Sequence, residues 1–253
     1  MTNSGDVVRP PLAAYEDLAR MVDYAVLAPN LSEEHVSRAC EAARKHRVGR
    51  LTVRPADLDL VISWTRGSGV PIGTTAGYPH AAETTSAKLY AVRDVLQRGA
   101  KAIETVLNPG KMVSRQFRYV ESELLQMAHE CHRAGAELIV DFEMGWLAED
   151  LRVIACRIAR RAEVDWVRAG SLYGPGQYGY DDLRFLAGKL GGAVKVDAGP
   201  AVATLDEAMN AYQAGAAGFQ TADPGHLLES WAMELKRREA ERALLVDTPP
   251  AVR

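Results

Sequence analysis

Along the chain, short apolar runs rich in β-branched residues alternate eight times with stretches of helical periodicity. The runs that read as strands are Met21–Leu27, Gly49–Val53, Ile72–Gly77, Ala102–Leu107, Glu137–Glu143, Val164–Ala169, Ala193–Asp197 and Ala217–Thr221. Most are apolar at successive positions, the pattern of strands buried on both faces. An N-terminal helix is expected around Pro11–Arg20. The helical segments between and after the strands are Ser32–His46, Asp57–Arg66, Thr85–Arg98, Val113–Ala134, Glu149–Arg161, Tyr180–Lys189, Leu205–Ala214 and Pro224–Arg242. Ser32 is placed to cap the first of these, with Glu33 and Glu34 favourable at its dipole. Gly99, Gly135, Gly191 and Gly215 close helices at positions suited to a left-handed cap. Eight β-then-α units with short connections predict an α/β fold: a single (β/α)8 TIM barrel with an extra N-terminal helix. Residues 1–253 form one domain, the barrel spanning about 21–242 and residues 243–253 a loose tail. A doubly wound open sheet is less consistent, because no Gly-x-Gly-x-x-Gly follows the first strand.

Composition narrows the function classes. Of 253 residues 47% are hydrophobic, enough for a large core, and the formal charge of −3 gives no support to nucleic-acid binding or a polybasic membrane patch. The apolar runs are of strand length and flanked by charge, so no membrane span is expected. The N-terminus lacks a signal-peptide pattern. Cys40, Cys131 and Cys156 lie in expected helices without metal-ligand spacing, which suits reduced thiols in a cytoplasmic protein.

Chemistry in such a barrel belongs at the C-terminal ends of the strands. Period-two alternation places Asp23 with Ala25, Glu104 with Ala102 and Val106, Asp141 with Glu143, Trp166 with Arg168, and Lys195 with Asp197. If these faces point inward, the lumen holds cations and several carboxyl groups, which must be paired or face a wet cavity. Ion pairs that hold strands in register account for any one of them about as well as a site does. Spread over five strands, the set favours a site.

Six segments, from about Met21 to Thr221, carry a resemblance to the deoxyribose-phosphate aldolases. Met21-Val-Asp-Tyr-Ala-Val-Leu27 resembles the family's Ile-Asp-x-Thr-x-Leu strand, retaining Asp23 and replacing Thr with Ala25. Thr52 stands where a cysteine is frequent. Thr75-Ala-Gly-Tyr-Pro-His-Ala-Ala82, with Thr84 and Lys88 after it, is similar to the Gly-Phe-Pro-x-Gly loop and its helix. Gly99-Ala-Lys-Ala-Ile-Glu-Thr-Val-Leu-Asn108 matches Gly-Ala-x-Glu-Ile-Asp-Met-Val-Ile-Asn, with Glu104 at the catalytic aspartate. Val194-Lys-Val-Asp-Ala-Gly199 parallels Val-Lys-x-Ser-Gly-Gly, so the second active-site lysine corresponds to Lys195. Val164-Asp-Trp-Val-Arg-Ala-Gly170 resembles the sixth-strand motif, but the imine-forming lysine is Arg168. A guanidinium stays charged and cannot form an imine. The turns that offer backbone amides to a phosphate in the family are also altered. Pro200 lacks an N–H, Asp197 repels an anion and Gln220 replaces a glycine. A phosphate is not expected unless Arg168 partners it.

The resemblance implies a carbon–carbon lyase acting on a small carbonyl or sugar-like substrate. In the leading expectation Lys195, its pKa depressed by a neighbouring Arg168, becomes the imine nucleophile. Glu104 and Asp23 relay protons, and Arg168 holds an anionic group of the substrate. Asn108, Asp141, Glu143, Tyr173, Asp197 and His80 complete the expected substrate-binding set. Two alternatives stay open: a non-covalent isomerase, cyclase or hydro-lyase using Glu104 and Lys195, and an inactive metabolite-binding relative. No cofactor or metal is implied, since pairing with Arg168 and Lys195 accounts for the carboxylates better than magnesium. The partner expected is a small carbonyl or anionic molecule, and the outer helices leave room for a homodimer.

Overall fold

All eight expected strands form, each three to five residues long: β1 (Val22–Val26), β2 (Arg50–Val53), β3 (Ile72–Thr75), β4 (Ala102–Val106), β5 (Glu137–Asp141), β6 (Trp166–Arg168), β7 (Lys195–Asp197) and β8 (Phe219–Thr221). They pair in parallel in the order β7-β6-β5-β4-β3-β2-β1-β8. A bridge between Asp197 and Gly218, with Ala198 N–H donating to Gly218 O at 2.8 Å, joins β7 to the start of β8. The structure, a computed structural model, is therefore a closed (β/α)8 barrel, and it describes residues 9–171, 173–174, 178–200 and 202–246.

The helices are α1 (Tyr15–Ala19), α2 (Glu33–His46), α3 (Leu58–Trp64), α4 (Thr85–Gln97), α5 (Pro109–Val113), α6 (Phe117–Arg133), α7 (Glu149–Arg161), α8 (Tyr180–Leu190), α9 (Leu205–Gln213) and α10 (Pro224–Val246). Between strands and helices lies a continuous apolar shell including Leu51, Val53, Ile103, Leu138, Val140 and Val167, all wholly buried. These are the strand positions that alternate with the polar lumen residues.

Three local expectations are corrected. The helix expected over Val113–Ala134 is two helices, because Ser114–Gln116 leave helical geometry and Arg115 takes φ 56°. Asn108 explains the earlier start: its Oδ1 accepts from Lys111 N–H at 3.0 Å, and Pro109 occupies the first turn. Ser32 occupies the N-cap position of α2, but its hydroxyl meets His35 Nδ1 at 2.6 Å instead of a backbone N–H. The C-terminal helix continues to Val246 through Leu244, and the remainder of the expected loose tail lies outside the described residues. The three cysteines are free and buried. Among the described residues, no helix is long and apolar enough to cross a membrane.

Candidate active site

At the centre of the barrel stands Arg168, wholly buried and wrapped by carboxylates from four other strands. Its Nε donates to Asp197 Oδ1 at 3.0 Å and its Nη2 to Asp23 Oδ2 at 2.7 Å. Nη1 lies 2.6 Å from Glu104 Oε2 and 3.5 Å from Asp141 Oδ1. The last residue of β6 pairs in register with Asp197 on one side and Asp141 on the other, so the cage follows from strand register. Burial opposes the charge, yet Asp197, Glu104, Asp141 and Asp23 together raise the guanidinium pKa well above its ordinary value. Arg168 is thus a fixed internal counter-ion. The expectation that it grips an anionic substrate group is not supported by this placement, since it is ion-paired with four of the protein's own carboxylates.

A second guanidinium, not expected from the sequence, lies below it. Arg50 Nη2 donates to Asp23 Oδ2 at 3.1 Å and lies 3.9 Å from Asp197 Oδ2. Burial pushes the Asp23 carboxyl up, but Arg50, Arg168 and the 2.6 Å hydrogen bond from Thr52 hold it below the usual carboxylate range. Asp23 is therefore a structural anion deep in the lumen, which corrects its assignment to proton transfer. Asp197 is similarly committed to Arg168 and to the Gly199 N–H, at 2.6 Å.

Lys195 is the largest correction. It is the first residue of β7 and pairs with Trp166, the first residue of β6, so it sits at the opposite rim of the barrel from the C-terminal strand ends. Its ammonium donates to Glu137 Oε1 at 3.2 Å and lies 4.7 Å above the Trp166 ring, and its side chain is 53% exposed. Arg168, by contrast, is 0% exposed, so the two cations do not share a cavity. Other lysines are no better placed. Lys88 is buried between α4 and α6 against Glu123 at 2.8 Å, Lys45 pairs with Glu229, and Lys111 donates to Gln116.

Above Arg168, toward the C-terminal ends of the strands, the acids are paired less completely. Both oxygens of Asp141, Glu104 Oε1 and Gln220 Oε1 are buried without a hydrogen-bond donor among the described residues. Gln220 gives its Nε2–H to Glu104 Oε2 at 3.2 Å, which orients its carbonyl oxygen. Burial, the adjacent Glu104 and then Glu143 raise the Asp141 pKa well above the carboxylate range, against the pull of Arg168. Asp141 and Glu104 thus lie on either side of one guanidinium nitrogen, Arg168 Nη1, and burial beside a second acid favours the protonated form of Asp141.

That shift has a consequence for stability. The folded state keeps on Asp141 a proton that the unfolded chain releases near pH 3.8, so its contribution is complete below that pH and is lost as pH rises toward the folded value. Asp141→Asn removes this slope. Urea midpoints measured from pH 4 to pH 9 should show the variant gaining on wild type progressively as pH rises.

Tyr78 was missed by sequence reasoning, although its replacement of the phenylalanine in the Gly-Phe-Pro loop was a visible signal. The Tyr78–Pro79 bond is cis. The phenol lies beside Ser171, Glu104 and Asp141 without a hydrogen-bond partner, and burial followed by those two acids raises its pKa, so it remains a proton donor. Its ring packs edge-on against Tyr173, at 5.8 Å between centroids. Glu143, buried and in the left-handed region at φ 49°, accepts from Ser171 N–H at 3.0 Å. A Cβ on Gly174 would overlap Glu143 Oε2, so only glycine allows this approach. Tyr173 lies at the mouth, 43% exposed. Asn108 is committed to capping α5 and to Ala81 O at 3.1 Å, and His80 is exposed on its loop, so neither is directed into the acid cluster.

The architecture and the order of the motifs both have counterparts in known proteins. A deoxyribose-phosphate aldolase of Bacteroides thetaiotaomicron is 29% identical over 222 residues, 88% of this chain and 93% of the relative. One from Rhodopirellula baltica is 29% identical over 202 residues, 80% and 84% of the two chains. The chain is similar to deoxyribose-phosphate aldolases over four fifths or more of its length. No family model matches it. Among solved structures, the deoxyribose phosphate aldolase of Aeropyrum pernix, described as a unique tetramer, superposes with a TM-score of 0.80 at 23% identity, covering 87% of this chain and 93% of that one. A putative deoxyribose-phosphate aldolase from Coccidioides immitis gives 0.85 at 15% identity, covering 92% of each. These likenesses carry the fold. At the position that resembles the family's imine-forming lysine, this chain carries a caged guanidinium.

Proposed function

We propose that the protein is a carbon–carbon lyase of the aldol type, acting on a small hydroxycarbonyl compound without a lysine imine. The observation that carries this reading is the buried Asp141–Glu104 pair, two carboxyl groups 3.5 and 2.6 Å from Arg168 Nη1, with Glu104 Oε1 and both Asp141 oxygens unpartnered among the described residues. The Tyr78 hydroxyl donates to the substrate carbonyl oxygen. Glu104 takes the proton of the β-hydroxyl, the bond between the α and β carbons breaks, and its electrons pass into an enolate held by Tyr78. Asp141 delivers its proton to the α carbon, and the proton on Glu104 then returns to Asp141, so no net proton is consumed. Arg168 stays charged throughout and lies 2.6 Å from Glu104 Oε2, where it opposes the negative charge of the site.

An imine at Lys195 is disfavoured by its place at the far rim. The test is turnover of small hydroxyaldehydes and hydroxyketones in the presence of borohydride, followed by intact mass. Cleavage without a protein adduct is expected, and Lys195→Met should keep its rate within about twofold, since its ammonium is exposed. An adduct on any lysine, or loss of turnover in that variant, overturns the non-imine route.

A further inference from the structure

We infer that the substrate carries a protonated amine in addition to its carbonyl group. This inference rests on the lyase reading for the carbonyl half of the molecule, and adds the chemical class of the remainder.

The first support is charge. Asp23, Glu104, Asp141, Glu143 and Asp197 are all buried in or at the mouth of the lumen, against Arg50 and Arg168. Even with a proton on Asp141, the carboxylates outnumber the guanidinium groups by two. Glu143 forms no ion pair with any described residue, whereas the deeper acids Asp23 and Asp197 each face both arginines. A buried carboxylate without a cation is costly unless a ligand supplies one.

The second support is independent of charge. Gln220, a neutral side chain that is 0% exposed, leaves its carbonyl oxygen without a donor. Glu104 Oε1 and both Asp141 oxygens join it, so four buried carbonyl or carboxyl oxygens lack a hydrogen-bond partner beside the unpartnered Arg168 Nη1 and Tyr78 hydroxyl. A ligand that donates several hydrogen bonds complements this, and an ammonium donates three.

The third support is shape around Glu143. The Tyr178 ring and Glu143 Oε2 converge over Gly170, 3.1 and 3.6 Å from where a Cβ would stand. Tyr78 and Tyr173 form the adjoining edge-on pair. Aromatic rings beside a carboxylate bind a cation through ring faces and charge together. The turns that could hold a phosphate are meanwhile occupied internally. Gly199 N–H is bonded to Asp197, Gln220 N–H to Gly199 O at 3.0 Å, and Pro200 has none to offer. The anionic substrate considered from sequence therefore gives way to a cationic one.

Three ligands of similar size separate the outcomes: aminoacetone, hydroxyacetone and hydroxyacetone phosphate, titrated calorimetrically into the full-length protein at low salt. Aminoacetone should bind at least about tenfold more tightly than hydroxyacetone, and the phosphate more weakly than either. Glu143→Gln, which keeps an acceptor for Ser171 N–H, should reduce the tenfold preference to about threefold or less. If that variant does not fold, the wild-type preference should shrink as ionic strength rises from about 0.02 to 0.5 M. Equal binding of the amine and the alcohol, tighter binding of the phosphate, no binding of aminoacetone, or a preference indifferent to both Glu143 and salt overturns the inference. Binding is read without turnover. A protein that selects the amine but cleaves no hydroxycarbonyl compound defeats the lyase reading alone, and one that cleaves but shows no such selection defeats only this inference.

Discussion

Arg168→Met lowers the thermal midpoint by roughly 6–20 °C, the equivalent of about 3–5 kcal/mol for removing one partner of a buried ion pair in a chain of this size. The size of the effect comes from what is left behind. Asp23, Glu104, Asp141 and Asp197 lose their common cation, and of these four only Asp23 and Asp197 lie within ion-pair distance of Arg50. The abandoned carboxyl groups must take up protons to stay buried, so their pKa values rise in the variant. Stability gained by those protons is present at low pH and disappears as pH increases. Calorimetry at pH 5 and pH 8 should therefore show the larger deficit at pH 8, and a deficit independent of pH would mean that the cage is not electrostatic. Arg168→Lys is a sharper probe of ancestry. An amine placed among four carboxylates is held protonated, so borohydride should trap no adduct at that position despite the restored residue type. Loss of imine chemistry in this protein would then reside in the cage as much as in the arginine.

Glu104→Gln should reduce lyase turnover by about 10²–10⁴, the usual contribution of a positioned acid–base group. The amide retains the shape of the side chain and an oxygen for the Gln220 Nε2–H contact, so circular dichroism and the thermal midpoint should report a folded protein. The discriminating readout is the pH profile. Wild type should lose activity on the alkaline side, where Asp141 gives up its proton, and the variant's residual rate should lack that limb. A variant that retains a full rate, or a wild-type profile without an alkaline limb, would move the proton transfer to another group.

Both predictions turn on residues whose inward direction was readable from alternation alone. Asp23, Glu104, Asp141, Arg168 and Asp197 each share a strand face with other lumen residues, and the structure brings all five together. The substitution of Arg for the family's lysine was equally plain, as were the eight β-then-α units. The Gln220 substitution was legible only as a change in a phosphate-binding turn, whereas its side chain also enters the lumen and bonds Glu104.

Height within the barrel is what alternation does not encode. Lys195 and Asp197 lie on one face of β7, yet two residues of strand rise put them at different levels, one at the open lower rim with Glu137 and one beside Arg168. Register sets that level: Trp166 opposite Lys195, Arg168 opposite Asp197. Arg50 and Tyr78 escaped for related reasons, one because its strand begins at the rim and its side chain reaches upward, the other because it belongs to a loop with no periodicity to read. The local chemistry of this chain thus dictates its helices, strands and the side that each polar residue faces, because those depend on neighbours within a few positions. Which cation sits among which acids, and whether an amine is reactive or merely solvated, is decided by the closure of strands far apart in the chain, since charge interactions follow distance in space and burial.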